Sequence, residues 1–267
     1  VLWSGEELDK PAPFVAREQI AALVRFHGLP LQFLHWAHPE RTLFEASQRV
    51  RLDFIALLAE ADVRGRICAD QQELLERVEL FRVLAQELQC YEQPRQFASD
   101  HSRFTYFHSE HGYADYAAYD ETQFEVVLMC GLPGSGKDTW LRTHLPDWPI
   151  ISLDEIRHEL HITPKDEQGP VMQLARERAR VMLRRQQSFA WNATNVSKAR
   201  RQELIDLFTA YHARVRLVYL DAPFAMLHKR NRERKAAVPD HVILQMARKL
   251  EVPDLTEAQK VEYYPIA

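Results

Sequence analysis

One stretch limits the possible fold more than any other: Gly-Leu-Pro-Gly-Ser-Gly-Lys-Asp-Thr at 131–139. A mostly apolar run at 124–130 precedes it and reads as a buried strand, and 140–144 reads as helix. Strand, glycine-rich turn and helix in that order form a cradle for phosphate oxygens. Gly131, Gly134 and Gly136 let the backbone turn tightly with its N–H groups inward. The helix N-terminus adds partial positive charge, and Lys137 reaches toward the terminal phosphates. Gly134, Ser135, Gly136, Lys137, Asp138 and Thr139 are therefore the expected nucleotide-binding residues. The Ser or Thr usual after such a lysine is replaced by Asp138, with Thr139 one place later. A carboxylate beside phosphates is repulsive unless a divalent cation stands between them. Asp138 is thus expected to contact Mg²⁺ or Mn²⁺, through water, with Thr139 turned to a phosphate oxygen. The plain alternative is a glycine-rich turn with no ligand.

The chain is long enough for two modest domains, and its pattern changes near the middle. Residues 1–92 read as all-α. Helices are expected from Phe14 to the Gly-Leu-Pro at 28–30, over about 42–62, and over about 71–88. Residues 93–123 read as a linker rich in His, Tyr, Ser and Asp. Phe104, Tyr106, Phe107, Tyr113, Tyr116 and Tyr119 are expected to pin it to the domains on either side. His108 and His111 have a spacing that suits a metal on one helical face, but no helix pattern supports it, so surface linker is the expectation. Cys68, Cys90 and Cys130, odd in number and widely spaced, imply no disulfide framework and a reducing, cytoplasmic setting. No run is long and apolar enough to span a bilayer, and no signal-like segment opens the chain.

Residues 124–267 alternate strand and helix, which predicts a parallel α/β sheet ordered 2-3-1-4 with right-handed crossovers. Asp154 follows the second strand, 148–152, at the sheet end where reactive groups collect. It is placed to accept a hydroxyl proton as general base, and Arg157, one helical step on, to hold an acceptor phosphate. Asp154 also suits a helix N-cap. The helix at 170–187 carries Arg176, Arg180 and Arg184, widened by Arg178 and Arg185 and opposed by Glu177 alone. It reads equally as a phosphate-tracking face and a solvated one. Asn192 and Thr194, ending the third strand, are candidates to orient acceptor or phosphate. Arg230 and Arg234, four apart after the fourth strand, form a candidate arginine lid over the triphosphate, with Lys137 and Asp154 completing the catalytic set. The tail from Glu251 carries no readable motif.

Two resemblances follow from these residues. The GSGK loop, Asp154-x-x-Arg157, the strand ending near Ala193-Thr194-Asn195, and Arg230-Asn231-x-x-Arg234 before Ala237-Val238-Pro239 resemble the polynucleotide 5′-hydroxyl kinase family over about 124–250. The phrases around His27 and Asp62 resemble the later part of HD-type phosphohydrolase domains over about 14–90. Asp62 matches that family's last metal ligand, and His27 matches an accessory position. The defining His-Asp pair is absent, and would lie upstream of Val1. Helix-end packing is the expected role for both residues, and no phosphoesterase activity is expected of the chain. Together the halves resemble bacterial end-healing enzymes that join an HD phosphohydrolase to such a kinase. The resemblance implies a P-loop kinase with parallel sheet and arginine lid after a partial HD-like domain. It would use ATP or GTP with Mg²⁺ to phosphorylate 5′-hydroxyl ends of RNA or DNA in nucleic-acid repair. It assigns donor-phosphate contact to Lys137, Arg230 and Arg234, general base to Asp154 and acceptor phosphate to Arg157. A kinase of a small molecule or protein, or a non-catalytic nucleotide-binding module, would use the same loop. The net charge of −4 fits an end-binding enzyme that needs a few aimed cations rather than a long basic groove.

Overall fold

A computed structural model describes residues 13–163, 166–233 and 238–266. The chain divides into two compact units, Val1–Ala118 and Tyr119–Ala267. No helix among the described residues is long and apolar enough to cross a membrane.

The first unit is helical among its described residues: α1 (Phe14–Phe26), α2 (Leu29–Gln32), α3 (Pro39–Ser47), α4 (Leu52–Arg64), α5 (Gln71–Glu87) and α6 (Asp100–His108). On α4, Leu52, Ile55, Ala56, Ala59 and Val63 are buried, the 3–4 spacing of one helical face. Leu52, Ile55, Ala56 and Ala59 meet Val78, Phe81 and Ala85 of α5 in a single core. The helix expected over 42–62 is two helices. On α3, Leu43, Phe44 and Ser47 point inward, a phase that would continue through 50, 51 and 54. Val50 keeps to it, but 51 and 54 are exposed and burial moves to 52, 55 and 56, a slip that the break between the two helices absorbs. Ser47 secures the break from both sides, donating to Phe44 O at 2.8 Å and accepting from Arg95 N at 3.1 Å.

The segment expected as a linker, 93–123, contains α6. Ser99 caps it by accepting from Ser102 N, worth about 1 kcal/mol. Tyr106 is buried and packs edge-on to Phe44, with ring centroids 5.9 Å apart. Arg41 donates to Phe107 O and Ser109 O, fixing the end of the helix to α3. Phe104 and Tyr106 are thus core residues of this unit, whereas Tyr113, Tyr116 and Tyr119 are exposed.

The second unit is a five-stranded parallel sheet in the order β2-β3-β1-β4-β5. Its elements are β1 (Phe124–Cys130), α7 (Lys137–His144), β2 (Ile150–Ser152), α8 (Leu153–Glu159), α9 (Gly169–Arg184), β3 (Phe189–Asn192), α10 (Lys198–Thr209), β4 (Ala213–Asp221), α11 (Phe224–Arg232), α12 (Asp240–Arg248) and β5 (Lys260–Pro265). β3 is buried along its length and β1 from Val126 to Cys130, as expected of parallel strands covered on both faces. The expected order of four strands is found. The tail adds a fifth, β5, pairing parallel to β4 from Arg216↔Lys260 to Asp221↔Pro265.

Candidate active site

Cys130, at the end of β1, leads directly into the loop. Gly131 has φ 147° and Gly134 φ 81°, conformations that L side chains rarely adopt. A Cβ on Gly131 would stand 2.8 Å from Leu220 O, and one on Gly134 2.9 Å from Leu227 O. Both glycines are therefore required by β4 and α11 pressing on the loop as well as by its turn. Helix α7 starts at Lys137, straight after Gly136. Lys137 Nζ donates to Gly131 O at 2.8 Å and Leu132 O at 3.0 Å, which folds the ammonium over the loop.

Ser135 is 1 % exposed, and its Oγ has no hydrogen-bond partner among the described residues. A buried hydroxyl left in this way costs about 1–3 kcal/mol. Set in a left-handed turn at a helix N-terminus, that orphan fits a phosphate-bearing ligand. Arg230, in the last turn of α11, faces the loop: a Cβ on Gly136 would stand 3.5 Å from its Nη1. The structure therefore brings Arg230 and Lys137 to the same loop. Arg234 lies outside the described residues. Asn231, between them in sequence, is buried and bonds both the N–H and the C=O of Val238.

The carboxyl ends of β2, β3 and β1 lie side by side through the pairs Ser152↔Asn192 and Leu128↔Trp191. Asn192, a candidate to orient acceptor or phosphate, ends β3. It is buried, and its Nδ2 donates to Asp138 Oδ1 at 2.6 Å, because Asp138 occupies the first turn of α7 opposite the end of β3. Thr194 contributes its backbone, its carbonyl accepting from Gly131 N at 3.0 Å. Thr139 is exposed, and its hydroxyl accepts from Arg142 at 3.4 Å. Asp154 lies in the first turn of α8 but is not its cap. Ser152 caps α8 by accepting from Glu155 N, which leaves the Asp154 carboxylate to pair with Arg157 at 2.5 Å.

For a divalent cation, Asp138 offers a carboxylate already oriented by Asn192, and Mg²⁺ commonly takes one or two carboxylates with substrate phosphates. No three His, Cys, Asp or Glu side chains converge into a metal-holding group among the described residues. In the first unit, His27 Nδ1 bonds Val24 O at 2.7 Å and Asp62 pairs with Arg66, both within one turn of their own position. Helix α6 ends at His108, so His108 and His111 share no helical face. The basic stripe on α9 is opposed by more than Glu177: Arg176 pairs with Glu203 at 2.7 Å and Arg178 with Glu159 at 2.6 Å.

Sequence reasoning missed the polar network beneath the loop. Arg201 is fully buried and donates to both oxygens of Glu257, at 2.6 and 2.9 Å. Its Nη1 also donates to Asn195 O at 3.0 Å. Asn195 has φ 44° and donates to Met129 O at 2.7 Å. Burial alone would lower the Arg201 pKa, but the hydrogen bonds and charge of Glu257 push it up. The signal was present: Arg201 falls on the same helical stripe as Leu204, Ile205 and Phe208, all buried. A charge on such a stripe requires a buried partner.

Residues 126–253, just under half of the chain, match the family model described as AAA domain. With the parallel sheet and the loop described above, this decides the fold of that half. The second unit is a P-loop kinase domain. Similar solved structures include one titled as the Pnkp1/Rnl/Hen1 RNA repair complex, at 19% identity and TM-score 0.44, covering 54% of this chain and 52% of that one. A gluconokinase from Sinorhizobium meliloti shows 17% identity and TM-score 0.41, covering 54% and 83%. Kti12 from Chaetomium thermophilum, in complex with ADP-AlF3, shows 15% identity and TM-score 0.38, covering 53% and 88%. A P-loop kinase domain implies a nucleoside triphosphate as donor, usually with Mg²⁺.

Proposed function

We propose that the P-loop kinase domain transfers the γ-phosphate of a nucleoside triphosphate to the 5′-hydroxyl end of RNA or DNA, in nucleic-acid end healing. The observation that carries this reading is the Asp154–Arg157 pair, a carboxylate and a guanidinium 2.5 Å apart at the carboxyl end of β2. In this reading Asp154 takes the proton of the acceptor hydroxyl. That oxygen forms the new bond to the γ-phosphorus as the bond to the β–γ bridging oxygen breaks. Arg157 holds a phosphate that the acceptor carries beside the hydroxyl. Lys137 and Arg230 face the donor phosphates and balance charge on the transferring group. Asp138 would hold Mg²⁺, which supplies charge neutralisation between the donor phosphates.

The test is transfer of labelled γ-phosphate from ATP with Mg²⁺ to a 5′-hydroxyl oligonucleotide, beside Lys137→Ala and Asp154→Asn. Transfer that disappears in both variants supports the reading. A second reading, a kinase of small acceptors, draws on the ion pairs that engage Arg176 and Arg178 of α9: with part of the basic face paired, the site suits a short acceptor as well as a strand end. Transfer to sugars or bare nucleosides at rates matching the oligonucleotide would favour it. ATP binding without transfer to any acceptor would leave a nucleotide-binding module.

A further inference from the structure

The Asp154–Arg157 pair has a third member that none of the motifs contains. Arg157 Nε donates to Gln168 Oε1 at 2.7 Å, while Nη1 donates to Asp154. The sense of the Gln168 amide is set by its surroundings. Its Nε2 donates to Thr163 O at 2.9 Å and Asp166 O at 2.8 Å. Turning the amide over would set its oxygen against two carbonyls and an N–H against the guanidinium. The two residues that supply those carbonyls are themselves bonded, Asp166 accepting from Thr163 N at 2.6 Å. Gln168 itself stands immediately before α9. A neutral side chain at the start of α9 thus grips the guanidinium of α8 by its Nε edge.

Among the described residues Nη2 of Arg157 makes no hydrogen bond, and the side chain is 24% exposed. A guanidinium held at Nε and Nη1 keeps its plane and turns its remaining N–H groups to a fixed direction, the geometry that suits an oxyanion. A carboxylate in place of Gln168 would neutralise Arg157 and repel an incoming anion. With no partner at Nε, the guanidinium would be free to rotate and close on Asp154 with both edges, masking the base and the anion site together.

We propose that Gln168 is a positioning residue for acceptor selection: it aims Arg157 at an anionic group beside the acceptor hydroxyl, of the class that a nucleoside 3′-phosphate presents. This rests on the role given to Arg157 above. The experiment compares a nucleoside 3′-monophosphate with the bare nucleoside as acceptors, using wild type, Gln168→Met and Gln168→Glu, with ADP affinity and Tm measured for each. Gln168→Met keeps the size of the side chain and removes its hydrogen bonds. It is expected to raise KM for the 3′-monophosphate about tenfold, the scale of one hydrogen bond to a charged group, with kcat moving much less. Preference for the 3′-monophosphate should narrow by the same factor, and Gln168→Glu should narrow it too, by repulsion. Tm and ADP affinity should hold. An unchanged preference in Gln168→Met, or an equal loss with both acceptors, would overturn the role of Gln168. Wild type that uses both acceptors equally would instead overturn the role of Arg157, and that result is read before any Gln168 variant is made.

Discussion

The two units treat their singled-out polar residues differently. In the helical unit, His27 and Asp62 find partners three and four residues away, at the ends of α1 and α4. In the kinase unit, Asn192 reaches Asp138 across 54 residues and Arg201 reaches Glu257 across 56. A local pair costs little chain entropy and stabilises one helix by tenths of a kcal/mol, ~0.3–0.5 in the usual case. A long-range buried pair needs the whole fold to bring it together, and its geometry is then held from several sides. The same residue types therefore read as helix decoration in one unit and as site architecture in the other.

The sharpest way to break that contrast is to remove the acid from each unit. Asp154→Asn is expected to lower kcat by about 10²–10⁴, the range for a general base, with ADP binding retained. Asp62→Ala should leave kcat within about twofold, since an exposed helical ion pair contributes little. A comparable loss from Asp62→Ala, read in the same γ-phosphate transfer assay, would erase the distinction.

Stability offers the next test. Arg201→Met strands a buried Glu257, which should cost about 3–5 kcal/mol. Adding Glu257→Leu should return most of that, because a packed apolar pair can replace a buried ion pair. Urea unfolding followed by a probe in the kinase unit checks it. A double variant no more stable than the single would show that the bond to Asn195 O, rather than the charge balance, governs the effect.

Asn192→Ala is expected to weaken ADP binding about tenfold with Mg²⁺ present and far less without it, the usual penalty for losing the group that orients a metal ligand. Equal losses under both conditions, measured by calorimetry, would mean that Asn192 supports the loop in general rather than Asp138.

The smallest effect separates the units by their thiols. Cys90 lies in the helical unit and Cys130 in the kinase unit. Burial pushes the first up to about 12 and the second to about 11. Raised folded values mean stability that is full below the unfolded value near 9 and lost as pH climbs toward 11–12. At pH 8, a thiol reagent should find half-buried Cys68 first. ADP should then slow labelling of Cys130 but not of Cys90. Protection of both would show that the units open together.

Much of the kinase unit could be read from the chain because each of its signals is local. Gly131, Gly134 and Gly136 all take the positive φ that their spacing implies, and β1 spans the apolar run as expected. What escaped depended on partners distant in sequence. Helix α6 has a mixed His, Ser and aromatic composition, and its inward face is defined by partners outside it, among them Phe44, Phe97 and Arg41. Strand β5, Lys-Val-Glu-Tyr-Tyr-Pro, is half-buried and polar, and only β4 makes it a strand. Asn192 was read as facing a ligand because its residue type and position at a strand end suit that role. Its bond to Asp138, the one irregular letter of the loop, joins residues 54 apart, and no local signal marks it.

The buried Arg201–Glu257 pair also sets a timetable. The loop at 131–139 is complete in sequence long before Glu257 is joined to the chain, yet the turn that holds Gly131 in place is tied down through Arg201 to Glu257. A ribosome adding about 5–20 residues each second takes on the order of ten seconds to travel from the loop to that glutamate. During that interval the nascent chain carries the phosphate cradle in its sequence without the tie that fixes it in space. Fixing the backbone behind Gly131 thus waits on a residue joined to the chain long after the loop itself.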